Sequence, residues 1–259
     1  MITIDTKNEN GLNYWETAWK NVEGIESFSP HSMVIEEAKW GYLRKDLKGY
    51  SGFALEVGCG SGHMGSLLAQ SGFQTFFVDY SPAGIACAQK SFTTLGGRER
   101  KTYIMGNAFA LPFKSESIDV VISTGLIEHF EYPEDMIKEM VRVLRKGGLF
   151  YSDIVPRKFS LIRSVEKLGP SPKGWYESKL GKRKMRNMVL NAGLDSINLF
   201  AAGVLPPRSI PGVGRFRYLA QIEQFLIQRL KQFWISLDGT RIADFLGMYY
   251  YITARKPNF

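Results

Sequence analysis

Short, continuously apolar runs alternate along this chain with longer amphipathic stretches. Phe53-Ala54-Leu55-Glu56-Val57 reads as a buried strand, and His63 to Gln70 follows with Met64, Leu67 and Leu68 at helical spacing. The strand pattern returns at Gln74 to Asp79, Lys101 to Met105, Ile118 to Ser123 and Leu149 to Val155. After the second strand, Ser81 is placed to cap a helix and Pro82 suits its first turn. Pro133 to Leu144 carries Met136, Ile137, Met140, Val141 and Leu144 at helical spacing, with Gly147-Gly148 as its expected end. Lys182 to Asn191 reads as a helix ended by Gly193, Ile197 to Leu205 as a sixth strand and Met248 to Ala254 as a seventh. Strands alternating with helices predict the α/β class and a parallel sheet.

The pattern is less regular outside this run. In residues 1–50 there is an aromatic cluster, Tyr14, Trp15 and Trp19, and an amphipathic stretch from Met33 to Leu47. These suit helices covering a sheet edge or a lid over a ligand. Gly169-Pro170-Ser171-Pro172 signals a loop. Pro206 to Gly247 reads as an insertion holding one apolar-rich helix, Arg215 to Leu237, that could pack on the sheet, wall a pocket or meet a dimer partner. The expected organisation is a cap over residues 1–50 and one domain over 51–259, with cap insertions at about 156–180 and 206–247. At 259 residues the chain is long enough for such a domain and its core.

Charge sharpens one part of this picture. Between Pro156 and Arg186 stand ten basic residues and two acids, which accounts for the whole net charge of +8. That block is open to three readings: a solvated basic surface, a site for an anionic small molecule, or a dock for nucleic acid or an anionic membrane. Few aromatics interleave it, so nucleic acid is not the expected partner. The two cysteines, Cys59 and Cys87, have no metal-ligand spacing, and no metal is expected. Met1 to Lys7 has no apolar core of the signal-peptide kind and no apolar run is long enough to span a membrane. A cytoplasmic setting is the expectation.

The chemistry begins after the first strand, at Glu56-Val57-Gly58-Cys59-Gly60-Ser61-Gly62. Glycines at alternate positions let the backbone turn sharply and approach a ligand, and the turn ends on a helix N-terminus. The spacing lacks the third glycine of the dinucleotide fingerprint, because His63 stands in its place. A carboxylate at Glu56 suits a cationic ligand better than a pyrophosphate. Asp79 ends the second strand about 21 residues after Gly58, where an acid can accept from ribose hydroxyls.

The E-x-G-x-G-x-G turn, Asp79 with Ser81, Leu111-Pro112-Phe113, the Glu128-His129 pair and Leu144-Arg145-Lys146-Gly147-Gly148 resemble, in order, the class I S-adenosylmethionine-dependent methyltransferases. The resemblance covers roughly Phe53 to Val155 and lies with the small-molecule branch of that family. It implies a Rossmann-like, doubly wound, seven-stranded, mainly parallel sheet, with the seventh strand antiparallel. It implies S-adenosylmethionine as cofactor and S-adenosylhomocysteine as product. Carried onto this chain, it implies cofactor binding by Glu56, Gly58, Cys59, Gly60, Gly62, Asp79, Tyr80, Asn107 and Ala108, with Thr124 near the methyl group. Asn107 stands where the family often has an acid. Cys59 is expected only to fit the turn.

Methyl transfer to oxygen requires loss of a proton, and His129 is the candidate general base. The expected acceptor is a small molecule, anionic or aromatic, methylated at oxygen or nitrogen. Two alternatives stand beside it: an RNA or protein methyltransferase docking through residues 156–186, and a methyltransferase-like protein that binds without catalysis. The sequence has no N-P-P-[YF] tetrapeptide after the fourth strand, which argues against methylation of base amino groups.

Overall fold

The computed structural model describes residues 6–22, 24, 30–96, 100–155, 178–204 and 225–258. Two helices, α1 (Thr6–Lys20) and α2 (Pro30–Asp46), precede the alternation β1 (Phe53–Val57), α3 (His63–Gln70), β2 (Gln74–Asp79), α4 (Pro82–Thr94), β3 (Lys101–Met105), β4 (Ile118–Thr124). Then come α5 (Glu134–Val143), β5 (Leu144–Ile154), α6 (Lys182–Asn191), β6 (Asp195–Ala202), α7 (Lys231–Ser236), α8 (Arg241–Leu246) and β7 (Tyr249–Arg255). One seven-stranded sheet has the order β3-β2-β1-β4-β5-β7-β6. β1 to β5 are parallel and β7 runs antiparallel between β5 and β6. This is the doubly wound, mainly parallel sheet that the family resemblance implies, within the α/β class that the pattern predicts.

Successive side chains of a strand face opposite sides of the sheet, and here each side is covered. Leu55, Val57, Val121 and Phe150 pack on the side of α5 and α6. Ala54, Val120, Ile122, Leu149 and Tyr151 pack on the side of α2 and α3. That double burial is why the central strands read as unbroken apolar runs. Chain order reverses between β1 and β4, and the crevice beyond their carboxyl ends is the place where such sheets bind ligands.

Ser81 caps α4, its Oγ accepting from the Gly84 N–H at 3.1 Å. Elsewhere the boundaries differ from expectation. α5 stops at Val143, because Leu144 already pairs with Ile118, so Gly147-Gly148 lies within β5 and not at the helix end. Gly147, at φ 69°, marks the irregularity there and donates its N–H to Lys256 O. β6 covers Asp195–Ala202 and not Ile197–Leu205, its far end set by the pairing of Ala202 with Tyr249. The single helix expected over 215–237 lies partly outside the described residues. Its described part is helical over 225–229, breaks at Leu230 and resumes as α7. The short α8, capped by Thr240, was not foreseen. The loop at Gly169 to Pro172 lies outside the described residues, as does most of the basic block. Among the described residues no helix is long and apolar enough to cross a membrane, and no cluster has metal-ligand composition.

Candidate functional site

The glycine turn leaves β1 at the crevice. Gly58, Gly60 and Gly62 have φ of 64°, 47° and 65°, a region that L side chains rarely adopt. Their surroundings separate their roles. A Cβ at Gly62 would meet Ala88 and Phe77, so that glycine serves the close packing of α3 on α4 and the sheet. A Cβ at Gly58 would meet Leu126, and one at Gly60 would collide with the Trp19 indole of α1. Cys59 is a buried free thiol among Ala69, Phe77, Ala88 and Phe92, and burial pushes its pKa well up. Its side chain faces the core, so only its backbone can serve a ligand.

Two acids flank the turn. Asp79 closes it: its Oδ2 accepts from the Gly60 N–H at 2.8 Å and its Oδ1 from the Ser81 N–H at 2.9 Å. Burial raises the Asp79 pKa and these N–H donors pull it back. Glu56 lies under the turn with Oε2 accepting from the Gly65 N–H at 2.9 Å and its buried Oε1 without a partner. Burial pushes its pKa to about 8.

At the end of β4, Thr124 is half-buried and registers with Asp153 of β5. Glu128 and His129 follow in a single 3-10 turn, Ile127–His129. Glu128 is fully buried; Oε1 accepts from the Val155 N–H at 2.7 Å, while Oε2 has no hydrogen-bond partner. Burial raises its pKa to about 7. His129 is half-buried with its ring 4.7 Å from that of Trp15, edge to face. Tyr80 is largely exposed. Asn107 turns its Oδ1 onto the Phe109 N–H at 2.9 Å, which leaves the amide N–H₂ as its donor toward a ligand, and Ala108 beside it is half-buried.

Five residues of this region, Glu16, Glu36, Lys39, Tyr151 and Asp153, were missed by sequence reasoning. Glu16 of α1 accepts from Ser81 Oγ at 2.6 Å and from the Ala83 N–H at 3.1 Å, which ties α1 across the start of α4 and holds the Glu16 pKa down. Lys39 of α2 is buried between Asp153 (2.8 Å) and Glu36 (3.0 Å). Burial opposes its charge, but the two carboxylates more than offset this and hold its pKa above the ordinary value. Asp153 also accepts from Tyr151 Oη at 2.7 Å. An acid near the end of the apolar run Leu149–Ile154, and a lysine beside the apolar positions of an amphipathic helix, were the available signals. His63 is buried, and burial lowers its pKa; the His31 side chain lies outside the described residues.

Residues 55–152 match the family model described as a methyltransferase domain. Over those residues the chain carries a methyltransferase domain, similar to that of the class I S-adenosylmethionine-dependent enzymes. It is 32% identical over 161 residues to norajmaline N-methyltransferase of Rauvolfia serpentina, covering 61% of this chain and 53% of that protein. It is 39% identical over 105 residues to phthiotriol/phenolphthiotriol dimycocerosates methyltransferase of Mycobacterium leprae, covering 39% of this chain and 37% of that one. The chain therefore spans about half the length of the first relative and less of the second. Among solved structures it resembles the putative methyltransferase in complex with the Haloferax volcanii Trm112 methyltransferase activator, with a TM-score of 0.61 at 16% identity over 96% of this chain and 97% of that one. That likeness speaks to the fold.

The residues of this methyltransferase domain fit its cofactor. Glu56 offers a buried, unpartnered carboxylate oxygen, Asp79 has lone pairs left for hydroxyl donors, and Gly58 and Gly60 leave the turn without side chains.

Proposed function

We propose that the chain transfers a methyl group from S-adenosylmethionine to nitrogen or oxygen of a small-molecule acceptor. The observation that carries this is the pairing of an orphaned Glu56 oxygen with an Asp79 carboxylate locked onto the glycine turn, at the sheet's crevice. When bound, the cofactor supplies the methyl group and a thioether leaving group. Asp79 is held by two backbone N–H groups, so it meets the ribose hydroxyls without reorganising. Asn107 and Ala108 serve the adenine ring, and Thr124 lines the methyl end.

On the acceptor side, the Trp15 face and His129 supply an aromatic wall and a base. Glu128, near neutrality and with one free oxygen, can take a proton from an ammonium or hydroxyl acceptor. The name of the Rauvolfia relative supports nitrogen as the accepting atom. Residues 1–50 and the two insertions act as the cap that selects the acceptor.

Calorimetric titration with S-adenosylmethionine and S-adenosylhomocysteine tests the site. Binding of both, lost in Asp79→Ala with the fold intact, is the expected result. A folded protein that binds neither ligand would defeat the proposal.

A further inference from the structure

Glu56 is buried on the side of the sheet that α2 and α3 cover. Residues of β1 alternate between the two sides, so Leu55 and Val57 face α5 and α6 while Ala54 and Glu56 face the other way. Tyr151 of β5 shares that second side, and Asp153, two residues on, meets Lys39 of α2 there. Gly65 of α3 leaves room for the Glu56 carboxyl, since a Cβ at that position would stand 2.5 Å from Oε2. Oε2 accepts from the Gly65 N–H, and Oε1 is buried with no hydrogen-bond partner. An ionised carboxylate in that position leaves charge on an oxygen that no donor meets, which burial makes costly.

The neighbours raise that cost. Glu36 of α2, Asp153 of β5 and Asp79 at the end of β2 all oppose ionisation of Glu56. The Cys59 thiol of the turn is near it too and is itself held protonated by burial. Among the described residues Lys39 is the cation of this group, and it is already outnumbered, pairing with both Asp153 and Glu36. His63 of α3, near Glu36 and Lys39, has its pKa lowered by burial. Burial and these carboxylates push the Glu56 pKa up to about 8. S-adenosylmethionine carries two cationic centres, an ammonium and a sulfonium, and either supplies the positive charge that Oε1 lacks. We propose that Glu56 exchanges a proton for the cofactor: a carboxylic acid in the free protein, it becomes a carboxylate as the cationic end of S-adenosylmethionine binds. The carboxyl O–H bond breaks, the proton passes to solvent, and no other bond changes. This inference rests on the cofactor reading above and is independent of the acceptor. Its sign follows from linkage: below the pKa of the free protein each binding event expels a proton, so affinity rises with pH.

The test is calorimetric titration of the full chain with S-adenosylmethionine, at one pH near 6.5, in buffers of different ionisation enthalpy. The dependence of the heat on the buffer should report about one proton released, and affinity should rise about tenfold per pH unit between about pH 6 and 7. An infrared difference spectrum of bound against free protein should show the loss of a protonated carboxyl. Glu56→Gln keeps an acceptor for the Gly65 N–H and should bind with heats independent of the buffer and without the infrared change. Glu36→Gln removes one opposing carboxylate and should move the range of proton release to lower pH, a result readable even if Glu56→Gln does not bind. S-adenosylhomocysteine, which lacks the sulfonium charge, separates the two sources: equal release assigns it to the ammonium group, smaller release to the sulfonium. Binding with buffer-independent heats and an affinity flat over that range would overturn the inference. So would release that persists in Glu56→Gln, as it would if Glu128 were the source. A folded protein that does not bind S-adenosylmethionine would defeat the cofactor reading itself, and this inference with it.

Discussion

The indole of Trp19, on α1, lies against Gly60 at the middle of the glycine turn, in the space that a Cβ at that position would occupy. The same helix sends Glu16 to the start of α4 and Trp15 to His129. One element outside the sheet therefore touches the turn, the end of β2 and the end of β4.

Gly60→Ala should be costly twice, through a φ of 47° and through Trp19. Backbone strain alone predicts a loss of about 1–2 kcal/mol, readable in urea unfolding. In the Trp19→Ala background the steric part should vanish and the backbone part remain. If the two losses add without coupling, the contact does not constrain the turn.

Stability should fall as pH rises from about 4 to about 8. An unfolded glutamate ionises near 4.3, whereas burial keeps the Glu56 proton on the folded protein up to about 8 and that of Glu128 up to about 7. Over that window the folded state binds more protons, so ionisation favours the unfolded chain. Glu56→Gln still accepts from the Gly65 N–H and should flatten the dependence, with a higher melting temperature at pH 8 than the parent. A parent profile that is flat between pH 5 and 8 would contradict this.

Lys39→Met leaves Asp153 buried without its counter-charge and should destabilise by about 3–5 kcal/mol. Lys39→Met/Asp153→Asn should recover much of that loss, because the fully buried carboxylate is then neutral and only the partly exposed Glu36 is left without its partner. Thermal or urea unfolding of the parent, the single variant and the pair decides the point.

With an oxygen acceptor, His129→Asn should lower kcat by about 100-fold or more and leave cofactor binding unchanged. With a nitrogen acceptor the loss should shift to Glu128→Gln, a variant that keeps the acceptor for the Val155 N–H and so the fold. The two variants assayed on one acceptor separate the roles.

The alternation of apolar runs and amphipathic stretches was enough to place β1 to β5, α3, α4 and α5, since strands buried on both faces and helices buried on one leave different spacings. Glu56, the three glycines and Asp79 were legible because their types and separations are local: all lie within one strand–turn–helix–strand unit. Boundaries set by pairing were not. β5 begins at Leu144 because Ile118 is there to receive it, and β6 ends at Ala202 because Tyr249 does. Lys39 meets Asp153 across more than a hundred residues of chain, so no spacing announces the pair. The sequence by itself determined the sheet, its crevice and the residue types at the glycine turn. Only the tertiary structure decided that α1 lies over that turn and that a lysine is buried among acids beside it, because each depends on which distant surfaces the folded chain brings together.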